Sequence, residues 1–195
     1  LRKTGVGVSG EGTSTIRLER AGRLGGAAYR LDGDYVEAGS WVVVAAVTGG
    51  DIEVLGARAR DMEPIVAVLQ RMKVCCEVED GRIRTEASSA VGARQITTGP
   101  WPGFPSDMVS LMTVLATQAR GRTLIHDWMY ELRLFALEQL SGMGANLFLC
   151  DPHRIIVDGP RHLNGRRLDS RDLRSGMALI AAALTARGTS WIRPL

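Results

Sequence analysis

Asp107 closes the stretch Pro100-Trp101-Pro102-Gly103-Phe104-Pro105-Ser106-Asp107-Met108, and a carboxylate in that setting can do two kinds of work. Proline fixes φ and cannot continue a strand ladder, so the stretch is a stiff loop ahead of a long apolar helix. Ser106 or Asp107 can cap that helix by accepting from its first free N–H groups. A carboxylate held on a stiff loop can also take a proton from a bound hydroxyl, because a general base must first be within reach. Asp34 and Asp172 occupy similar places, each just ahead of an apolar segment. Gathered together, three such helix starts would join the positive ends of three helix dipoles and make a surface suited to anions.

Other chemistries find less support. Cys75, Cys76 and Cys150 have no metal-ligand spacing and read as reduced, buried or half-buried residues, so no metal site is expected. Gly5, Gly7, Gly10 and Gly12 resemble a phosphate-cradling loop, but no clear helix follows, and a glycine-rich hairpin with a strand at Thr13 to Leu18 is the better reading. A net charge of +3 with only four Trp, three Tyr and three Phe argues against a nucleic-acid partner and suits a small anionic ligand. With 45% hydrophobic and 23% charged residues the chain has a globular composition. No apolar run reaches the length of a bilayer span, and the basic start lacks an apolar stretch behind it. Neither membrane anchor nor signal peptide is expected, and the cytoplasm is the expected location. The chain begins at Leu1 and ends inside what reads as a strand, as a piece of a longer protein would.

The elements that must position the aspartates form a repeat. Ala38 to Val47 is an apolar helix expected to be buried all round, closed by Gly49-Gly50. A strand at Asp51 to Leu55 follows, then an amphipathic helix from Met62 to Met72, and a hairpin of Val74 to Val78 and Arg82 to Thr85 across Asp80-Gly81. The order recurs with a buried helix from Met108 to Ala119 closed by Gly121, a strand at Thr123 to Ile125, a helix from Leu134 to Met143, and a hairpin of Asn146 to Leu149 and Arg154 to Val157. Gly50 to Met72 and Gly121 to Met143 are both 22 positions apart (72 − 50 and 143 − 121). A third copy starts at Asp172, carries Leu173, Met177, Ile180 and Leu184 on its helix, ends that helix at Gly188 and stops in a strand at Ser190 to Ile192. Units of about 70 residues exceed the usual solenoid period of roughly 20–50. The pattern predicts an α/β (α+β) fold, an incomplete inside-out barrel of helix–strand–helix–hairpin units with its apolar helices inside and its sheets outside. Two full units (about 34–98 and 100–166) and a truncated third (about 168–195) are expected.

The loop Pro102-Gly103-Phe104-Pro105-Ser106-Asp107-Met108, the segment Tyr130-Glu131-Leu132-Arg133, the helix end Leu140-x-x-Met143-Gly144-Ala145 and the start Asp172-Leu173-Arg174-Ser175-Gly176 occur in an order that resembles the UDP-N-acetylglucosamine enolpyruvyl transferases. That family shares its fold with shikimate-phosphate enolpyruvyl transferase. The resemblance runs from about Gly10 to Leu195. It implies two domains of three similar units each, with residues 1–30 the last part of the first domain and 31–195 most of the second. It also implies transfer of the enolpyruvyl group of phosphoenolpyruvate to the 3-hydroxyl of UDP-N-acetylglucosamine, the first committed step of peptidoglycan synthesis, by a cytoplasmic enzyme that needs no cofactor and is monomeric at full length.

By the same resemblance Asp107 is the general base at the sugar hydroxyl, and Met129 contacts the UDP-sugar through its backbone. Arg133 and Arg174 face phosphoenolpyruvate, Asp172 is their acidic partner, and Asp34 and Glu37 lie near the domain crossover. Read from the residues alone, the two arginines could equally be solvated helix-end side chains. The family's general acid is a cysteine on a loop of the first domain that none of Cys75, Cys76 and Cys150 matches, so this chain by itself is not expected to turn over. The family usually has Asn at Leu132, Arg at Tyr35 and a smaller or different ring at Trp101. These departures keep open a sister transferase acting on shikimate 3-phosphate or a nucleotide, and a ligand-binding paralogue without turnover.

Overall fold

The structure is a computed structural model that describes residues 1–131, 133–170 and 172–193. Leu132, one of the departures noted above, lies outside the described residues. The chain divides into two compact units, Leu1–Asp32 and Gly33–Leu195. In the first, β1 (Gly7–Ser9) pairs antiparallel with β2 (Arg17–Glu19). The glycine-rich stretch is therefore a hairpin, as expected, with a shorter second strand than the alternation predicts.

The second unit opens with α1 (Tyr35–Thr48), whose start Asp34 caps by accepting from the N–H groups of Val36 and Glu37. Gly49 ends it in the left-handed conformation, which glycine adopts without a Cβ clash. Then come β3 (Ile52–Leu55), α2 (Ala59–Arg71), and the hairpin of β4 (Cys76–Glu79) and β5 (Arg82–Thr85). β5 is the central strand of this three-stranded antiparallel sheet. α2 buries Met62, Ile65, Val68 and Leu69 on one face, the stripe that the helical period requires.

The second copy runs α3 (Val109–Gln118), β7 (Gly121–His126), a 3₁₀ segment (Arg133–Leu137) leading into α4 (Glu138–Gly142), then β8 (Asn146–Asp151) and β9 (Arg154–Gly159). The third is α5 (Leu173–Thr185) and β11 (Trp191–Arg193). The repeat read from the sequence is thus present in the backbone. Its three apolar helices α1, α3 and α5 pack on one another. α3 is buried from Val109 through Thr117. Two of its buried hydroxyls are satisfied within the helix, Thr113 Oγ1 donating to the Val109 carbonyl at 2.9 Å and Thr117 Oγ1 to that of Val114 at 2.7 Å, whereas the buried Ser110 hydroxyl has no partner among the described residues.

Two strands escaped the sequence reading, and they join the copies. β6 (Gln95–Thr97) pairs parallel with β7 of the next copy, and β10 (Arg167–Asp169) pairs parallel with β11 of the third. At both joins a glycine permits the approach. A Cβ on Gly92 would lie 2.7 Å from the Arg122 carbonyl oxygen, and one on Gly165 would lie 2.4 Å from that of Thr189.

The structure corrects several local expectations. α1 is not buried all round, since Trp41 is 46% exposed. Gly121 and Gly188 do not close their helices: α3 is capped at Ala119 and α5 at Ala186, and each glycine, at positive φ, either lies between that cap and the strand that follows or opens that strand. On α5 the buried face is Ser175, Ala178, Leu179, Ala181 and Ala182, while Leu173, Ile180 and Leu184 are exposed. Three alanines and a serine on that face let α5 approach α1 and α3 closely, with Leu179 the one large side chain packed inward among them. Cys75 and Cys150 are exposed rather than buried, Cys75 just ahead of β4 and Cys150 at an outward-facing position of β8, and Cys76 is half-buried.

Candidate functional site

The loop that opened the sequence reading is built as a closed turn. The Gly103 N–H donates to the Pro100 carbonyl at 2.6 Å and the Gly99 N–H to Phe104 at 2.9 Å. Phe104 is buried beneath it. The chain then makes one 3₁₀ turn, Ser106–Met108, before α3. Neither Ser106 nor Asp107 caps either helix through its side chain. Here the three aspartates part company: Asp34 and Asp172 are caps, and Asp107 is not. A short 3₁₀ turn rotates its carboxylate away from the free N–H groups, and two cations receive it instead.

Those cations come from different elements. Arg133, at the start of the 3₁₀ segment after β7, places Nη2 at 3.1 Å from Asp107 Oδ1, and Arg174, in the first turn of α5, places Nη2 at 3.0 Å from Oδ2. The Arg133 side chain is 13% exposed, that of Arg174 30% and that of Asp107 38%. The cluster is therefore shielded on the Arg133 side and open at Asp107. Arg133 also lies over the ring of Tyr130, 4.3 Å from its centroid.

The remaining candidates fall around this centre at different distances. Tyr35, first residue of α1, stacks edge-on with Trp101 at 6.0 Å. Burial pushes its phenol above the ordinary value, and the charges of Asp107 and Asp34 push it further, against a lowering by Arg174. The N-terminal ends of α1, α3 and α5 thus lie within electrostatic reach of one another. Asp172 completes a capping box with Ser175. Burial alone would raise its carboxyl, but hydrogen bonds from Ser175 and the Arg174 N–H, with the nearby Arg133 charge, outweigh that and hold it below its usual range. Glu37 is exposed in the first turn of α1. Among the described residues no ion pair joins it to Arg133 or Arg174, whose partner is Asp107. Met129 reaches the centre through its backbone, its N–H donating to Asp127 Oδ1 at 3.2 Å.

Because the folded Asp172 carboxyl is depressed, its cap contributes stability above the unfolded value of about 4 and loses it as pH falls through the lower folded value. Asp172→Ala is expected to destabilise the protein by about 1 kcal/mol at neutral pH. Urea unfolding across pH 2 to 7 checks it, and the difference from wild type should shrink toward acid.

Asp127 and Ser106 are the site residues that sequence reading missed. Asp127 follows β7 and has no solvent exposure. It receives Thr98 Oγ1 at 2.9 Å and Ser106 Oγ at 2.6 Å. Its main chain is tied to β9's turn, the Asp127 N–H donating to the His153 carbonyl at 2.8 Å. An aspartate two residues beyond the apolar pair Leu124-Ile125 was the available signal, but burial of a charge cannot be read from its neighbours in sequence. As a whole the arrangement can hold a carboxylate or phosphate between two guanidinium groups and present one carboxylate to a neutral hydroxyl.

Known proteins resemble this chain along its whole length. The family model of EPSP synthase (3-phosphoshikimate 1-carboxyvinyltransferase) matches residues 1–194. A UDP-N-acetylglucosamine 1-carboxyvinyltransferase from Treponema denticola is 39% identical over 99% of the chain and 47% of its own length. One from Bradyrhizobium diazoefficiens is 36% identical over 96% of the chain and 46% of its own. The chain thus spans about half the length of these curated relatives. Among solved structures, the enolpyruvyl transferase NikO from Streptomyces tendae superposes with a TM-score of 0.83 at 22% identity, over 98% of this chain and 46% of that one. The EPSP synthase from Acinetobacter baumannii does so with 0.64 at 14% identity, over 86% and 40%. The likeness in fold agrees with the helix–strand–helix–hairpin repeat, and with the family match it establishes that the chain belongs to the EPSP synthase (3-phosphoshikimate 1-carboxyvinyltransferase) family.

Proposed function

We propose that the protein carrying this chain transfers the enolpyruvyl group of phosphoenolpyruvate to the 3-hydroxyl of UDP-N-acetylglucosamine, the first committed step of peptidoglycan synthesis, in the cytoplasm. In this reading residues 1–30 end the family's first domain and 31–195 form most of the second. The observation that carries the proposal is Asp107 on its proline-stiffened turn, ion-paired at 3.1 and 3.0 Å with Arg133 of its own copy of the repeat and Arg174 of the third. Relatives of that printed name at 33–39% identity support the same choice of substrates.

Asp107 takes the proton of the 3-hydroxyl, and the oxygen attacks C2 of phosphoenolpyruvate while an acid delivers a proton to C3. That acid is proposed to be the cysteine which the family carries in its first domain. Loss of a C3 proton then expels phosphate from the tetrahedral intermediate and restores the vinyl group. Arg133 and Arg174 stabilise the carboxylate and phosphate throughout, with the helix N-termini at their backs. Asp172 holds the first turn of α5, and so Arg174, in place. Asp34 does the same for Tyr35, and Glu37 adds an acidic group to the outer edge of that helix start. The Met129 N–H is already bound to Asp127, which leaves the Met129 carbonyl as the backbone group that receives the UDP-sugar. No cofactor is needed.

One observation favours a second reading. Tyr35 stands where the family usually has Arg and lies in the field of Asp107 and Arg174, which supports a different acceptor such as shikimate 3-phosphate. The full-length protein is therefore incubated with phosphoenolpyruvate and each acceptor in turn, with phosphate release and product mass measured. Enolpyruvyl-UDP-N-acetylglucosamine is the expected product; turnover with shikimate 3-phosphate alone overturns the first reading in favour of the second. Arg174→Lys, which loses the planar fork, is expected to raise KM for phosphoenolpyruvate about tenfold. An unchanged KM in the same assay removes Arg174 from the anion site.

A further inference from the structure

Asp127 is the one fully buried carboxylate among the described residues, and the addition–elimination sequence gives it no part. The hydrogen bonds around it have a fixed direction. A guanidinium only donates, so Arg133 Nη1, 2.8 Å from Ser106 Oγ, must be the donor there. Ser106 has a single proton, and it points to Asp127 Oδ2 at 2.6 Å. Thr98 and the Met129 N–H donate to Oδ1. Asp127 accepts three hydrogen bonds and donates none, the pattern of an ionised carboxylate. The chain of donation therefore runs from Arg133 to Ser106 to Asp127.

This direction matters at the far end. A planar guanidinium is oriented when both of its terminal nitrogens are held. Arg133 Nη1 is held by Ser106, and Nη2 by Asp107 at 3.1 Å. The two acceptors are neighbours on one 3₁₀ turn, and the Tyr130 ring lies against the guanidinium face. We propose that Asp127 is a positioning residue that touches no substrate: its buried charge fixes the polarity of the Ser106 hydroxyl and thereby the plane of Arg133 against Asp107 and the incoming anion. The proposal rests on the assignment of Asp107 and Arg133 to the active site made above.

The sharpest probe is Asp127→Asn, nearly identical in shape. With its carbonyl toward Thr98 and Met129, the amide turns its NH₂ toward Ser106. Ser106 must then accept from residue 127, and its own proton faces Arg133, donor against donor. In the full-length protein, with phosphoenolpyruvate and UDP-N-acetylglucosamine, Asp127→Asn is expected to lower kcat/KM for phosphoenolpyruvate 10- to 100-fold. Ser106→Ala should lose a similar amount, and Ser106→Thr, which keeps the hydroxyl, should recover most of it. In an Arg133→Ala background Asp127→Asn should cost less than twofold, because the group it positions is gone. A further tenfold loss there shows a general structural role and overturns the proposal.

Crystal structures of wild type and variants give a readout independent of turnover. In Asp127→Asn and in Ser106→Ala, Arg133 should leave its position against Asp107. Arg133 unmoved in both overturns the proposal whatever the activity. If Asp127→Asn does not fold, the Ser106→Ala and Ser106→Thr pair decides by the same two measures. If wild type releases no phosphate, the functional reading fails and the crystallographic comparison still decides this one.

Discussion

Asp107→Ala in the full-length protein is expected to reduce kcat for enolpyruvyl transfer by about 10²–10⁴-fold, the usual range for loss of a general base. Apparent affinity for phosphoenolpyruvate should not fall with it. Asp107 pairs with both Arg133 and Arg174, so removing it frees two guanidinium groups for the anion rather than taking any away. That split between kcat and KM distinguishes a base from a group that merely binds. Asp107→Asn keeps the shape and one acceptor oxygen but takes no proton, and it should match the alanine variant in kcat. Stability should change by no more than about 1 kcal/mol, because the side chain is 38% exposed and ion pairs in partial contact with water contribute little. Steady-state kinetics with phosphate release measure the first expectation and thermal unfolding the second. A kcat within tenfold of wild type would remove Asp107 from the role.

The largest stability effect is expected deep in α3. Met112 is fully buried in the helix that packs against both α1 and α5. Met112→Ala removes three heavy atoms from a place where helices from three copies of the repeat meet. The surroundings cannot collapse onto the gap without moving the other helices. The cost should be about 3 kcal/mol, within the range of roughly 2–5 for such truncations. For a unit of this size that lowers the melting temperature by about 6–12 °C. Differential scanning calorimetry is the measurement, and a shift under 2 °C would mean that the three-helix contact is not the centre of the core. Activity per folded molecule should survive, because the Met112 side chain is fully buried and has no polar group to offer the site.

The same two residues show where sequence reading reaches and where it stops. Met112 was legible: an unbroken apolar helix admits only one environment, and the recurrence of such helices requires that they pack together. Asp34 and Asp172 were legible as caps for a similar reason, since a cap bonds to N–H groups two or three residues along the same chain. Asp107 looked like a third cap and is not one. Its partners are 26 and 67 positions away (133 − 107 and 174 − 107), and the resemblance to a family, not the spacing, suggested them.

The sequence by itself determined the repeat, its three buried helices, the hairpins at Asp80-Gly81 and Asn146 to Val157, and the family. Each of these rests on periodicity, turn chemistry or ordered motifs, which act over short stretches of chain. Only the tertiary structure decided that β6 and β10 each cross into the next copy's sheet, that α5 turns Ala178, Leu179, Ala181 and Ala182 inward and leaves Leu173 and Leu184 out, and that Asp127 is buried beneath Ser106 and Arg133. Strand partnership, the choice of helix face and the burial of a charge are settled by what arrives from elsewhere in the chain. No local pattern of residues carries that information.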